Sequence, residues 1–162
     1  MLRVIGIDPG SRITGWGVVC EEKNTFSLVR SGIIRTDPKE DFPKRLATIY
    51  CELARILEDV QPHEASIEQV FVSKNIQSAL KLGQARGAAI AACAAKNIPV
   101  KDYEPTLVKK TIVGVGHAEK AQVAYMVKTL LHIPNAKWAL DTSDALGVAL
   151  CHLMMRGSRL SM

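Results

Sequence analysis

The chain has 162 residues, 48% of them hydrophobic and 23% charged, the composition of one ordinary soluble domain rather than a disordered tail or a fibre. A single core of that size buries roughly 68–70% of the surface exposed by the unfolded chain, so neither disulfides nor a structural metal is required for stability. The net charge of +5 invites a polyanionic partner without demanding one.

Residues 2–7 are β-branched or apolar and are broken by Asp8-Pro9-Gly10-Ser11, the pattern of a buried strand ending in a turn. Residues 13–20 and 25–36 read as two further strands, and the three together as an antiparallel meander. Residues 43–60 change to helical period, with Leu46, Ile49, Tyr50, Leu53, Ile56 and Leu57 at steps of three and four before Pro62 stops the run. Residues 65–70 predict a fourth strand, apolar apart from Glu68, and 76–96 a second helix. Val100 opens a brief fifth strand, Glu104-Pro105 starts another helix, and residues 118–131 and 140–155 complete a helical final third. A meander followed by strand–helix alternation predicts an α/β fold with a mixed five-stranded sheet and helices on both faces. With no repeat or linker, residues 1–156 are expected to form one domain and 157–162 a short tail whose order the sequence leaves open.

The four cysteines, Cys20, Cys51, Cys93 and Cys151, show neither zinc nor disulfide-framework spacing and predict reduced thiols. The N-terminal apolar run meets Asp8 and Arg12 before a signal-peptide core could form, and no stretch approaches the ~18 apolar residues of a membrane span, so a cytoplasmic protein is expected. His63, His117, His132 and His152 lack ligand spacing and read as surface or core residues.

Four carboxylates stand out. Asp8 lies where a strand gives way to a turn, which suits a ligand site at a sheet edge and equally suits a turn aspartate bonding its own backbone. Glu68 sits in an otherwise buried strand, so a cation or an Arg or Lys partner must compensate it. Asp141 and Asp144, three residues apart, share a helix face, although capping and a favourable first-turn charge would also account for both. As a set they offer the hard oxygens preferred by magnesium or manganese, and two such ions ~3.5–4 Å apart are suited to phosphodiester hydrolysis without a protein nucleophile. Mutual repulsion predicts raised carboxyl pKa values in the metal-free protein.

Phe71, following the Glu68 strand, reads either as core or as an exposed aromatic able to stack on an unpaired base. Lys74, Lys81, Lys109, Lys110 and Lys120 are candidates for phosphate contact, although lysines are more often simply solvated. Gly83, Gly87 and Ala91 recur every four residues, giving a smooth helical face for a second copy of the chain or for the protein's own sheet. The segment GVGHAEK lacks the spacing of a nucleotide-binding P-loop.

Five segments in order, GIDPGS with RITGWGVV, IEQVF, SALKLGQARG, VGVGHAEK and DTSDAL, closely resemble the RuvC family of Holliday junction resolvases over residues 5–152. Trp16, Thr142-Ser143 and the doubled Lys109-Lys110 depart from common versions without removing an acidic position, and Lys110 leaves open which of the two lysines reaches DNA. The resemblance implies a ribonuclease H-like fold and a homodimeric, structure-selective endodeoxyribonuclease. Such an enzyme cuts four-way junction DNA symmetrically at a short T-rich sequence in recombination and DNA repair. It would work with magnesium, manganese substituting, at two ions per active site, and with the RuvA and RuvB branch-migration complex. The resemblance further places Asp8, Glu68, Asp141 and Asp144 as catalytic metal ligands, Lys109 and Lys120 near the scissile phosphate, and Phe71 at the unstacked base. The rivals are a ribonuclease H-like nuclease acting on RNA and a non-catalytic junction-binding module. An actin-like ATPase is excluded because it needs two domains.

Overall fold

The computed structural model describes residues 1–70 and 75–160, and the side chains of these as far as Gly157. Three strands, β1 (Leu2–Asp8), β2 (Ile13–Glu22) and β3 (Thr25–Arg35), form the meander. They are followed by α1 (Phe42–Val60), β4 (Glu64–Glu68), α2 (Ile76–Ala95) and β5 (Val100–Tyr103), and then by α3 (Pro105–Val113), α4 (Lys120–Leu130) and α5 (Leu140–Leu160). The sheet order is β3-β2-β1-β4-β5, with β2 antiparallel to both neighbours and β1, β4 and β5 mutually parallel. The parallel strands therefore bring Asp8 and Glu68, the last residues of β1 and β4, to the same sheet edge.

Alternation along the strands separates two cores. Ile5, Ile7, Ala65 and Ile67 pack with Leu53, Leu57 and Val60 of α1 and Ala89, Ala92 and Cys93 of α2. Val4 and Val19 face the other way, against Val108, Ile112, Val123, Val127, Leu146 and Leu150 of α3, α4 and α5. Since side chains two residues apart share a face, Gly6 and Asp8 of β1 and Glu68 of β4 look toward α5.

Two glycines determine how closely α5 approaches. A Cβ on Gly6 would lie 1.9 Å from the Ala145 carbonyl oxygen, and one on Gly15 would lie 2.0 Å from that of Asp141. Gly15 is the ladder partner of Asp8, so the first turn of α5 rests directly on the strand pair that carries Asp8.

Several boundaries differ from expectation. Strand β4 stops at Glu68, so this acid terminates the strand instead of lying within it. Helix α4 starts at Lys120 because Glu119 is its N-cap, with the Glu119 N–H donating to the Gln122 side chain at 2.8 Å. Helix α5 starts at Leu140 as expected, with Asp141 in its first turn, but continues to Leu160 through the first four residues of the expected tail. Arg156, paired with Glu64 of β4, ties this last stretch to the sheet. Among the described residues no helix is long and apolar enough to cross a membrane.

Replacing Gly15 with Ala should force α5 off β2 and destabilise the fold by about 1–3 kcal/mol, the usual range for overpacking. A urea midpoint equal to that of the wild type would show that α5 is not in backbone contact there.

Candidate active site

The loop after Asp8 is held from three sides. The Thr14 hydroxyl donates to the Gly10 carbonyl at 2.9 Å and accepts from the Gly10 N–H at 3.2 Å. The Thr36 hydroxyl donates to the Ser11 carbonyl at 2.7 Å, and the buried Arg45 guanidinium donates to the same oxygen. Asp8 is thus the end of a strand followed by a fixed turn, and its carboxylate makes no hydrogen bond within that turn among the described residues. The turn-aspartate reading does not hold.

Glu68 is fixed through its backbone. Arg86 of α2 donates from Nε to the Glu68 carbonyl at 3.2 Å and pairs through its other end with Asp102 of β5. Among the described residues the Glu68 carboxylate forms no ion pair, so Arg86 braces the residue without neutralising it. The sequence reading missed this role, although Arg86 lies within SALKLGQARG; its spacing from Glu68 carried no signal until α2 folded back over β4.

On the opposite side, Asp144 Oδ2 accepts a hydrogen bond from Lys120 Nζ at 2.8 Å. Glu68, Pro105, Val108, Lys109, Lys120, Val123 and Asp144 line a cleft of about 170 Å³, room for a few waters or small hydrated ions but not for a nucleotide. Lys109 belongs to this lining, whereas the adjacent Lys110 is exposed and outside it. The helical turn between neighbouring residues thereby separates the two lysines that the sequence left equivalent. Phe71 and Lys74 lie outside the described residues.

Electrostatics join the four acids into one site. Burial, then the charges of Glu68, Asp144 and Asp141, push the Asp8 carboxyl up from 3.8 to about 8, against a smaller opposing effect of Lys120. Burial and Asp144 likewise raise Glu68, with Lys120 and Lys109 pulling the other way. Lys120 is held above its ordinary value, first by its hydrogen bond to Asp144 and, against the cost of burial, by Asp144, Asp8 and Glu68 together. One ammonium is thus set among three carboxylates, Asp144, Asp8 and Glu68, and the field of Asp141 joins theirs at Asp8.

Among the described residues no three of these side chains already surround a single point at metal-ligand distance. The donor chemistry nevertheless fits a divalent ion. Asp8, Glu68, Asp141 and Asp144 provide hard oxygens and excess negative charge at a sheet edge, with Lys120 as partial compensation.

Residues 4–152 match the family model described as Crossover junction endodeoxyribonuclease RuvC. The crossover junction endodeoxyribonuclease RuvC of Oleidesulfovibrio alaskensis is 55% identical over 159 residues, covering 98% of this chain and 94% of the relative. A solved structure of T. thermophilus RuvC in complex with Holliday junction substrate matches at a TM-score of 0.91 and 31% identity, covering 98% of this chain and 97% of the other. The yeast mitochondrial Holliday junction resolvase Ydc2, at a TM-score of 0.67 and 14% identity over 98% and 84% of the two chains, shares the fold. The mixed five-stranded sheet with helices on both faces is thus the expected ribonuclease H-like one, and the chain belongs to the RuvC family.

Proposed function

We propose that the chain is a structure-selective endodeoxyribonuclease that resolves Holliday junctions by paired, symmetric phosphodiester hydrolysis. The observation that carries this reading is the set of four carboxylates sharing one electrostatic field at the edge of the sheet, in a chain of the RuvC family. The name of the T. thermophilus relative, bound to a Holliday junction, supports the choice of substrate.

Asp8, Glu68, Asp141 and Asp144 would hold magnesium, or manganese in its place, at two ions per active site. Such ions, when bound, supply charge stabilisation at the scissile phosphate and a competent water nucleophile. The chain's own residues do the rest. Gly15 lets Asp141 come down beside Asp8, Arg86 holds the end of β4, and Lys109 and Lys120 bring positive charge to the cleft where phosphate oxygens would lie. Lys74, Lys110 and Phe71 extend this reading to flanking phosphates and an unstacked base. A short T-rich cutting preference, action with RuvA and RuvB, and a cytoplasmic location complete the proposal.

A two-fold junction suits an enzyme that presents its site twice. Helix α2 supports a homodimer, because Gly83, Gly87 and Ala91 are exposed and a Cβ added to either glycine meets nothing within 4 Å. Their face is therefore not packed on the chain's own sheet, and Ile76 and Leu80 beside it are 68% and 64% exposed. Gly87→Glu should convert the protein to monomers by light scattering at micromolar concentration. An unchanged mass would place the subunit contact elsewhere.

Wild-type protein should nick both strands of a mobile four-way junction when magnesium is supplied, and neither linear duplex nor RNA. Asp8→Asn should reduce that cutting to background while junction binding persists; magnesium-dependent cutting by this variant would refute the role of Asp8.

The raised Asp8 and Glu68 carboxyls also set a pH dependence. A carboxyl held higher in the folded than in the unfolded state contributes stability below its unfolded value, and that contribution is lost as the pH climbs through the folded value. Metal-free protein should therefore become less stable between pH ~4 and ~8, and Asp8→Asn should melt above the wild type at pH 8 but not at pH 4. Magnesium or manganese should restore the loss at pH 8 with release of protons, seen by calorimetry in buffers of different ionisation heat. Binding without proton release would contradict the raised values.

A further inference from the structure

Outside the cleft, Tyr103, His152, Glu64 and Arg156 form one connected polar group on the α5 face of the sheet. His152 is only 4% exposed. Its Nε2 lies 2.6 Å from Glu64 Oε2 and its Nδ1 lies 2.8 Å from the Tyr103 hydroxyl. A carboxylate only accepts, so an imidazole N–H belongs on Nε2, and the tyrosine hydroxyl closes the chain at Nδ1. The two rings meet edge to face at 83°, with centroids 5.7 Å apart. Arg156, one helical turn beyond His152, pairs with the other Glu64 oxygen. Burial works to raise the Glu64 carboxyl, but His152 and Arg156 outweigh it and hold the group below its ordinary value, charged and accepting.

Each member sits on an element that carries or borders an active-site acid. Glu64 opens the strand that Glu68 closes. Tyr103 faces Glu68 across the β4–β5 ladder, and its carbonyl accepts from the Gln69 N–H at 2.9 Å. His152 follows Asp144 on the same helix, about 12 Å further along its axis at 1.5 Å per residue. Between these points α5 meets the sheet through apolar side chains and glycine backbone, contacts that are non-directional and resist sliding or rotation weakly. The hydrogen-bonded chain is directional and joins α5 to both β4 and β5.

We propose that Glu64, His152 and Tyr103 are positioning residues that set the height and rotation of α5 on β4 and β5, keeping Asp141 and Asp144 in register with Asp8 and Glu68. The proposal rests on the reading of those four acids as one cation-binding site. It assigns a working role to a buried histidine that touches neither substrate nor metal.

The test uses full-length Tyr103→Phe, His152→Gln and the double variant, at a temperature well below their melting points. Four quantities are measured: single-turnover cutting of a four-way junction, manganese affinity by electron paramagnetic resonance, junction affinity in EDTA, and the thermal midpoint. Each single change should lower both the cutting rate and the manganese affinity by about tenfold, the scale on which small misplacements of reacting groups act, and leave junction affinity in EDTA unchanged. The double variant should lose no more than either single one, because the two residues act through one chain of bonds. Lower melting points with wild-type cutting and manganese affinity would reduce the group to a stabilising contact and overturn the proposal, as would additive losses. Tyr103→Phe keeps the ring and removes one oxygen, so it carries the test if His152→Gln does not fold. Asp8→Asn stands as the separate control: metal-dependent cutting by that variant would sink the cation-site reading itself, whatever the Tyr103 and His152 variants do.

Discussion

The site depends on backbone meeting backbone. Where α5 crosses β1 and β2, the strands offer glycine, and the helix settles at a separation that a methyl group would prevent. This contact lowers the first turn of α5 onto the ladder rung of Asp8, so that acids from the two ends of the chain come under one another's influence. Close packing makes such a separation well defined, because a dense interior deforms little. The glycines contribute no chemistry and determine where the chemistry can occur.

That proximity opposes folding. Burial and neighbouring like charges raise the proton affinity of Asp8 and Glu68, and the chain relieves the repulsion only in part, with Lys120 against Asp144 and Lys109 nearby. Arg86 could have been a neutralising partner for Glu68 but binds its carbonyl instead, pairing with Asp102. Glu68 is therefore braced without being discharged. Local stability is given up at a cluster of hard oxygens, a common arrangement at functional sites.

Much of this was legible along the chain. The β-branched runs and the three-and-four spacing of Leu46, Ile49, Leu53 and Leu57 carry enough period to define strands, helices and layers, since each repeats its signal over several turns or pleats. Asp8 and Glu68 were visible because each interrupts an apolar strand pattern, and Asp141 and Asp144 because their three-residue spacing puts them on one helix face. What escaped depends on tertiary distance. Gly6 and Gly15 look like ordinary weak points of a strand until α5 is seen lying on them. Lys109 and Lys110 are neighbours in sequence and differ only in which side of α3 they occupy. His152 and Glu64, 88 positions apart, share no pattern that a linear reading could join. The end of α5 was drawn too short because what ties the helix down beyond residue 155 is a tertiary contact, the pairing of Arg156 with Glu64 of β4.

Helix α2 has a two-sided character. Along one side run Gly83, Gly87 and Ala91, open to the surroundings; from another, Arg86 reaches the carbonyl of Glu68. A body seated on the open side would thus be separated from Glu68 by the thickness of one helix and a single guanidinium. Helix α2 is therefore at once an open surface and the brace that holds the end of β4.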